Sequence, residues 1–215
     1  EIYRICGLAQ RQKGRRRGYG EGFMIEMKDI LVIVDVQKGF TKDYTVEKIP
    51  VIEDLLSRRV FDTVIATKYW NTPDSNISRL MGWKDLCTEE EQDLVPEIEP
   101  YVDHITAKNI YSGVTPELVE LLKELGGGRL PEYVFLLGFD TECCLLSTAA
   151  DLFEMGVRPL VLTEYSGSHD GPKYHDAGIV AMEHLIGPNF LIEKNDIKCK
   201  EDIRTIVLDV MSKSV

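Results

Sequence analysis

The sequence predicts one α/β domain built on a doubly wound, mostly parallel, six-stranded sheet with helices on both faces. Two observations carry this. From Ile30 onward, short β-branched apolar runs alternate with helical patterns, the order expected of β-α-β units joined by right-handed crossovers. Several runs are apolar at consecutive positions, as strands buried on both faces must be.

Strands are expected over Ile30–Asp35, Thr63–Thr67, His104–Ala107, Tyr133–Leu137, Arg158–Thr163 and Phe190–Ile192. The helices between them have readable ends. Thr115-Pro116-Glu117 supplies an N-cap, a proline at the first helical position and an acid in the first turn. Leu118, Val119, Leu121, Leu122 and Leu125 then form one apolar face, and Gly126-Gly127-Gly128 ends it. A second helix is expected from about Cys143 to Met155, stopping at Gly156. A third covers Lys173 to Ile186 before Gly187-Pro188, and a last one Glu201 to Met211. The stretch from Tyr69 to Tyr101 reads as a long loop with one helical turn after Thr88, where Thr88 and Glu91 make a weak capping box. Loops of that length are usually functional or disordered.

The 215 residues, 44% apolar and 28% charged, suffice for one full-sized core, assigned to residues 27–215. No apolar run reaches the ~18 residues of a membrane span. The net charge of −11 repels phosphate backbones, so neither nucleic acid nor membrane is an expected partner. Residues 1–26 are set apart as a basic extension rich in arginine, expected to be disordered or foreign to the native domain. A flexible arm and a transit peptide are the other readings. The five cysteines, Cys6, Cys87, Cys143, Cys144 and Cys199, contain no CxxC and no zinc spacing, which suits a reduced, cytoplasmic compartment.

Three polar residues stand at strand ends, where doubly wound folds build their sites. Asp35 follows Ile30–Val34, Lys108 follows Ile105-Thr106-Ala107, and Cys144 opens a helix after Gly138-Phe-Asp-Thr-Glu-Cys-Cys144. Each alone has an ordinary explanation: an aspartate caps the next element, a strand-end lysine is solvated, a helical cysteine is core.

Together they resemble the isochorismatase-like hydrolases. Val34-Asp-Val-Gln-Lys-Gly-Phe40 is similar to that family's opening motif and Lys108-Asn-Ile-Tyr-Ser112 to its lysine motif. Gly138-Phe-Asp-Thr-Glu-Cys-Cys-Leu-Leu-Ser-Thr-Ala149 is similar to its nucleophile motif. The resemblance covers about Ile30 to Ile192 and implies the Rossmann-like isochorismatase fold, with Asp35, Lys108 and Cys144 as catalytic residues. It selects Cys144 over Cys143, which helical periodicity does not separate. It also implies a cis peptide between Phe139 and Asp140, and an oxyanion site formed by the N–H groups of Asp140 and Cys144. The Asp140 carboxylate must then point away from the oxyanion. A helix N-terminus and a nearby ammonium are expected to lower the Cys144 thiol from about 8.5 toward neutral.

Related nicotinamidases hold a metal through an Asp-x-His pair and a later histidine. The matching positions here are Tyr69, Asn71 and Leu86, so neither metal nor cofactor is expected. Phe40, Trp83 and Tyr111 match positions that line the family's pocket, with core packing as their ordinary role. Gln37 either binds substrate or fastens its loop. His169 and His175 raise a Cys-His or metal site, but Gly167-Ser-His-Asp-Gly171 reads better as a turn, with a place on the pocket rim after the fifth strand as the other reading; His104 and His184 read as structural.

The expected activity is metal-independent cleavage of an amide, ureido or carbamoyl C–N bond of a small molecule through a thioester. The alternatives are a nicotinamidase or isochorismatase-type hydrolase, a non-catalytic binding protein on this scaffold, and a thiol redox protein using Cys143 and Cys144. The family implies a homodimer or homotetramer.

Overall fold

Strand β1 (Ile30–Val34) is shut from solvent at all five positions, because its side chains feed two separate cores. Those cores define the fold in the structure, a computed structural model that describes residues 28–193 and 196–213. The basic extension assigned to residues 1–26 lies outside the described residues. After β1 the chain forms α1 (Ile49–Ser57), β2 (Thr63–Tyr69), the single turn α2 (Glu89–Gln92), β3 (His104–Lys108), α3 (Pro116–Leu125) and β4 (Tyr133–Gly138). It continues through α4 (Leu146–Glu154), β5 (Arg158–Leu162), α5 (Pro172–Leu185), β6 (Leu191–Ile192) and α6 (Lys200–Lys213).

The sheet order is β3-β2-β1-β4-β5-β6, and every strand pair is parallel. Leu31 and Ile33 join the core under α1 and α6, with Ile52, Leu55, Ile203 and Val207. Ile30, Val32 and Val34 join the opposite core with Leu118, Leu122, Ala149, Leu152 and Met182 of α3, α4 and α5. The period of two along a strand thus explains why consecutive apolar residues are needed.

From β1 the chain winds outward through β2 and β3, then returns to β4 on the other side of β1 and winds out again through β5 and β6. This reversal opens a crevice past the carboxyl ends of β1 and β4, where such sheets bind ligands. In register, Val34 lies between Thr67 and Gly138, and Tyr69 faces Lys108.

Several boundaries move relative to the sequence reading. β2 extends to Tyr69, β3 takes in Lys108, and β6 starts at Leu191. Helix α1 was not among the expected helices. Its signals were Pro50 in the first turn and the buried face Ile49, Ile52, Leu55 and Leu56, disguised by the preceding turn. The capping box is present: the Thr88 N–H donates to Glu91 Oε2 at 3.1 Å and the Glu91 N–H to Thr88 Oγ1 at 3.3 Å. The same long stretch holds a π turn, Ile77–Met81, closed by Gly82 at φ 75°. Among the described residues no helix is long and apolar enough to cross a membrane.

Candidate active site

Asp35, Lys108 and Cys144 come together at the crevice. Lys108 lies on β3, two strands from β1, at roughly 4.8 Å per strand. Only a long side chain bridges that gap, passing over the end of β2. Its Nζ lies 2.6 Å from Asp35 Oδ2, with side-chain exposures of 1% and 0%. The ammonium also donates to the carbonyls of Ile110 at 3.1 Å and Tyr111 at 2.8 Å. Thr67, at the end of the intervening strand, donates its hydroxyl to Asp35 Oδ1 at 2.6 Å. Asp35 Oδ2 takes no hydrogen bond of regular geometry from the described residues, and the buried Cys144 thiol sits beside it. Asp35 adopts φ 52°, a left-handed conformation that aspartate tolerates better than most residues.

Burial is the largest single influence on each of the three groups, but it sets the direction only for Asp35 and Cys144. It raises the Asp35 carboxyl above its usual range, opposed by Lys108 and Thr67. For Lys108 burial acts to lower the pKa, but the Asp35 and Cys144 charges more than offset it and the value is raised. The Cys144 thiol goes well above its ordinary value through burial and then the Asp35 charge, against Lys108. The expected shift toward neutral is therefore reversed: the desolvation cost of a buried thiolate and the neighbouring carboxylate outweigh one ammonium that is already paired.

The expected helix from Cys143 begins instead as a π turn, Thr141–Leu145, with the Leu145 N–H bonded to the Asp140 carbonyl at 3.0 Å. Two glycines permit its position. A Cβ on Gly138, at φ 129°, would lie 2.1 Å from the Val34 carbonyl oxygen. A Cβ on Gly178 of α5 would meet the backbone of Thr141 and Glu142 at 2.7–2.8 Å. Thr141 ties the turn down by donating its backbone N–H (3.0 Å) and hydroxyl (3.1 Å) to the Gly167 carbonyl.

The Phe139–Asp140 peptide is cis. The Asp140 carboxylate turns to His169, accepting its backbone N–H at Oδ1 (2.8 Å) and pairing with its Nδ1 at Oδ2 (2.6 Å). This raises the His169 pKa above 6.5, against a smaller lowering by burial. The segment Gly167–Gly171 rims the cavity, the second of its two readings, and brings His169 into the wall. The signal was its place after the fifth strand. His175 makes no dyad with cysteine; its Nδ1 shares a 2.8 Å hydrogen bond with the Thr141 hydroxyl.

A cavity of about 420 Å³ opens over Cys144, with Phe40, Trp83, Tyr111, Asp140 and Cys143 in its walls. Phe40 and Trp83 stack at 5.9 Å with 16° between their planes. Cys143 lies near Glu142 and Asp140, and burial first, then these carboxylates, push its thiol up to about 12. Gln37 does not line the cavity. Its amide nitrogen donates to the carbonyls of Tyr69 (2.9 Å) and Gln92 (2.8 Å), and its oxygen accepts the Tyr69 N–H at 2.8 Å. Assignment of Gln37 to the substrate pocket is therefore corrected: its amide is consumed by backbone, clamping the long loop to β2.

Residues 29–191 match the family described as the isochorismatase domain. The chain belongs to the isochorismatase domain family. Over 88 residues it is 30% identical to isochorismatase family protein 2B of Dictyostelium discoideum, a match covering 38% of this chain and 41% of that protein. The matched stretch thus spans less than half of that relative's length. Its fold is similar to that of an isochorismatase-like hydrolase from Alkaliphilus metalliredigens, with TM-score 0.63, 20% identity, and 74% of this chain and 92% of that one covered. N-carbamoylsarcosine amidase from Thermoplasma acidophilum gives TM-score 0.62 at 22% identity, covering 75% of this chain and 94% of that one.

Within the isochorismatase domain family, the three positions matched to the nicotinamidase metal ligands have other occupations here. Tyr69 packs against Trp83 at 6.1 Å, and Leu86 is fully buried. Asn71 Oδ1 accepts from the Thr72 N–H (2.9 Å) and the Ser75 hydroxyl (2.6 Å), while its Nδ2 donates to the Asp85 carbonyl at 3.0 Å. A phenol, a committed amide and a hydrocarbon do not fit a divalent ion, so no step is derived through one.

Proposed function

We propose that the protein is a metal-independent cysteine hydrolase that cleaves an amide, ureido or carbamoyl C–N bond of a small molecule. The observation that carries this is the Asp35–Lys108 ion pair, buried beside Cys144, which lines the cavity. Burying an ion pair costs several kcal/mol per ion and is poor evidence of stabilisation. Such a pair in a cleft beside a nucleophile is what proton transfer requires.

Asp35 takes the Cys144 thiol proton as sulfur attacks the substrate carbonyl, forming a C–S bond. Lys108 stabilises the single negative charge as it passes from the Asp35 carboxylate to the sulfur. The N–H groups of Asp140 and Cys144 receive the oxyanion, the kind of donor worth ~10²–10³ in rate. As the C–N bond breaks, the proton on Asp35 passes to the departing nitrogen, leaving a thioester. Asp35 then takes a proton from water as its oxygen adds to the thioester. The C–S bond breaks, the proton returns to sulfur, and a carboxylic or carbamic acid leaves. The Asp140–His169 pair supports this by keeping the Asp140 carboxylate on His169.

A panel of small amides and ureido compounds assayed for ammonia or amine release tests the reading, with acid-quench mass spectrometry for an acyl adduct on the Cys144 peptide. Release with an adduct on Cys144 is expected; release that survives Cys144→Ala overturns it. The reading extends to a reduced, cytoplasmic setting and a homodimer or homotetramer, supported by free Cys87, Cys143, Cys144 and Cys199 and by the family.

A further inference from the structure

We propose that the cavity selects cationic substrates: flat amides or ureido compounds with an amine, amidinium or quaternary ammonium group on the side away from the scissile carbonyl. This rests on the hydrolase reading above and names the substrate class of that site.

The charge of the wall is one-sided. Asp140, Glu142, Asp170 and His169 line the cavity, and among the described residues no lysine or arginine does. His169 is already claimed on both ring nitrogens, by Asp140 Oδ2 at 2.6 Å and Asp170 Oδ1 at 3.6 Å. Both ring nitrogens thus face carboxylates of the same wall, and neither is free for an anionic ligand group. Glu142 Oε1 accepts the Ser168 hydroxyl at 2.8 Å, and no cation among the described residues pairs with Glu142. Lys108 beneath the floor is spent on Asp35 and two carbonyls. Lys42, whose charge is felt at His169, is paired with Asp85. A carboxylate substrate would find no counter-ion here and would meet like charge in a poorly solvated space, whereas a cation meets the opposite sign.

The aromatic wall suits the same ligand. The stacked Phe40 and Trp83 rings and Tyr111 bound the cavity, and ring faces attract cations and flat groups alike, whereas the Tyr69 ring is already faced by the Lys108 ammonium, 5.1 Å from its centroid. An independent observation also points to a ligand. Tyr69 is 1% exposed and lines this cavity, yet its hydroxyl has no hydrogen-bond partner among the described residues. A buried hydroxyl without a partner is costly, and a polar group on a bound molecule would supply one after a small adjustment of the ring.

The test titrates three para-substituted benzamides, bearing trimethylammonium, methyl and carboxylate groups, into Cys144→Ala protein by ligand-observed NMR, with Cys144→Ser as a second non-turnover form. The cation is expected to bind about tenfold or more tighter than the carboxylate, with methyl between them. Asp170→Asn and Glu142→Gln should each narrow that ratio, and so should salt. Equal or tighter binding of the carboxylate or the methyl compound overturns the proposal, as does failure of the cation to bind at millimolar concentration. The wild-type protein is assayed on the same three compounds for ammonia release. Cation binding without release overturns the hydrolase reading and leaves the selection standing. Release fastest from the carboxylate compound overturns the selection and leaves the hydrolase reading standing.

Discussion

Lys108 Nζ and Asp35 Oδ2 meet at 2.6 Å in a space closed to solvent on both sides, although their strands are separated by the whole width of β2. Burying such a pair costs stability, and this makes its parts separable by mutation. Lys108→Met leaves a buried carboxylate uncompensated and should destabilise the fold by about 3–5 kcal/mol. The double variant Asp35→Leu, Lys108→Met should recover much of that loss, because no charge remains buried. Urea denaturation midpoints measure both, and neither variant should release amine from any substrate.

Cys144 and Cys143 are adjacent but differently placed, since only Cys144 adjoins both Asp35 and Lys108 at close range. Cys144→Ala should lower kcat by about 10⁴-fold or more, on the scale of nucleophile deletions in other hydrolases. Cys143→Ala should leave kcat of the same order and alter KM. Steady-state kinetics on one responsive substrate decides between the two cysteines.

The pH–rate profile should show an acid limb above the ordinary aspartate value of 3.8, because burial raises the Asp35 carboxyl and the base must be ionised to act. Thr67→Val removes a hydrogen bond that favours the carboxylate and should push the acid limb higher still. A purely structural role for Thr67 predicts an unmoved limb with a lower plateau.

The His169 pKa is raised from 6.5, chiefly by its hydrogen bond to Asp140. A basic group raised in the folded state adds stability that is full below its unfolded pKa and fades as pH rises through the folded value. The Tm difference between wild type and His169→Gln should therefore be largest near about pH 5 and shrink toward alkaline pH. A constant difference across the range would show that packing, not protonation, accounts for it.

Gly178→Ala tests how finely the π turn is placed. The new Cβ would press on the Thr141 and Glu142 backbone at 2.7–2.8 Å, so the turn carrying Cys144 must shift. The expected result is a stability loss of about 1–3 kcal/mol with a fall in kcat near 10²-fold, the penalty for misplacing a reacting group by about 1 Å.

How much was legible depended on the range of the interaction. β1 announced itself through five consecutive apolar residues, because a strand between two helix layers has no polar face to show. The helix beginning at Pro116 and the turn at Thr88 were readable because caps act over three or four residues. The boundaries of β2 and β3, the helix α1 and the π turn Ile77–Met81 were not readable in detail, since tertiary contacts set where those elements stop. Gln37 is instructive: its residue type suits substrate binding, and only the chain folding back at Tyr69 and Gln92 shows that its amide is consumed.

By itself the sequence determined the doubly wound sheet and the places of Asp35 after β1, Lys108 on β3 and Cys144 in the turn after β4, since apolar periodicity and motif order are local properties of the chain. Only the tertiary structure decided the rest. It buried the Cys144 thiol beside the ion pair, which pushes its pKa up rather than down, and turned Asp140 onto His169. It also closed an aromatic cavity whose charged wall side chains are three carboxylates and one histidine. Burial, the direction of a side chain and the balance of charge across a cavity arise from residues distant in sequence, so they exist only once the strands are laid side by side.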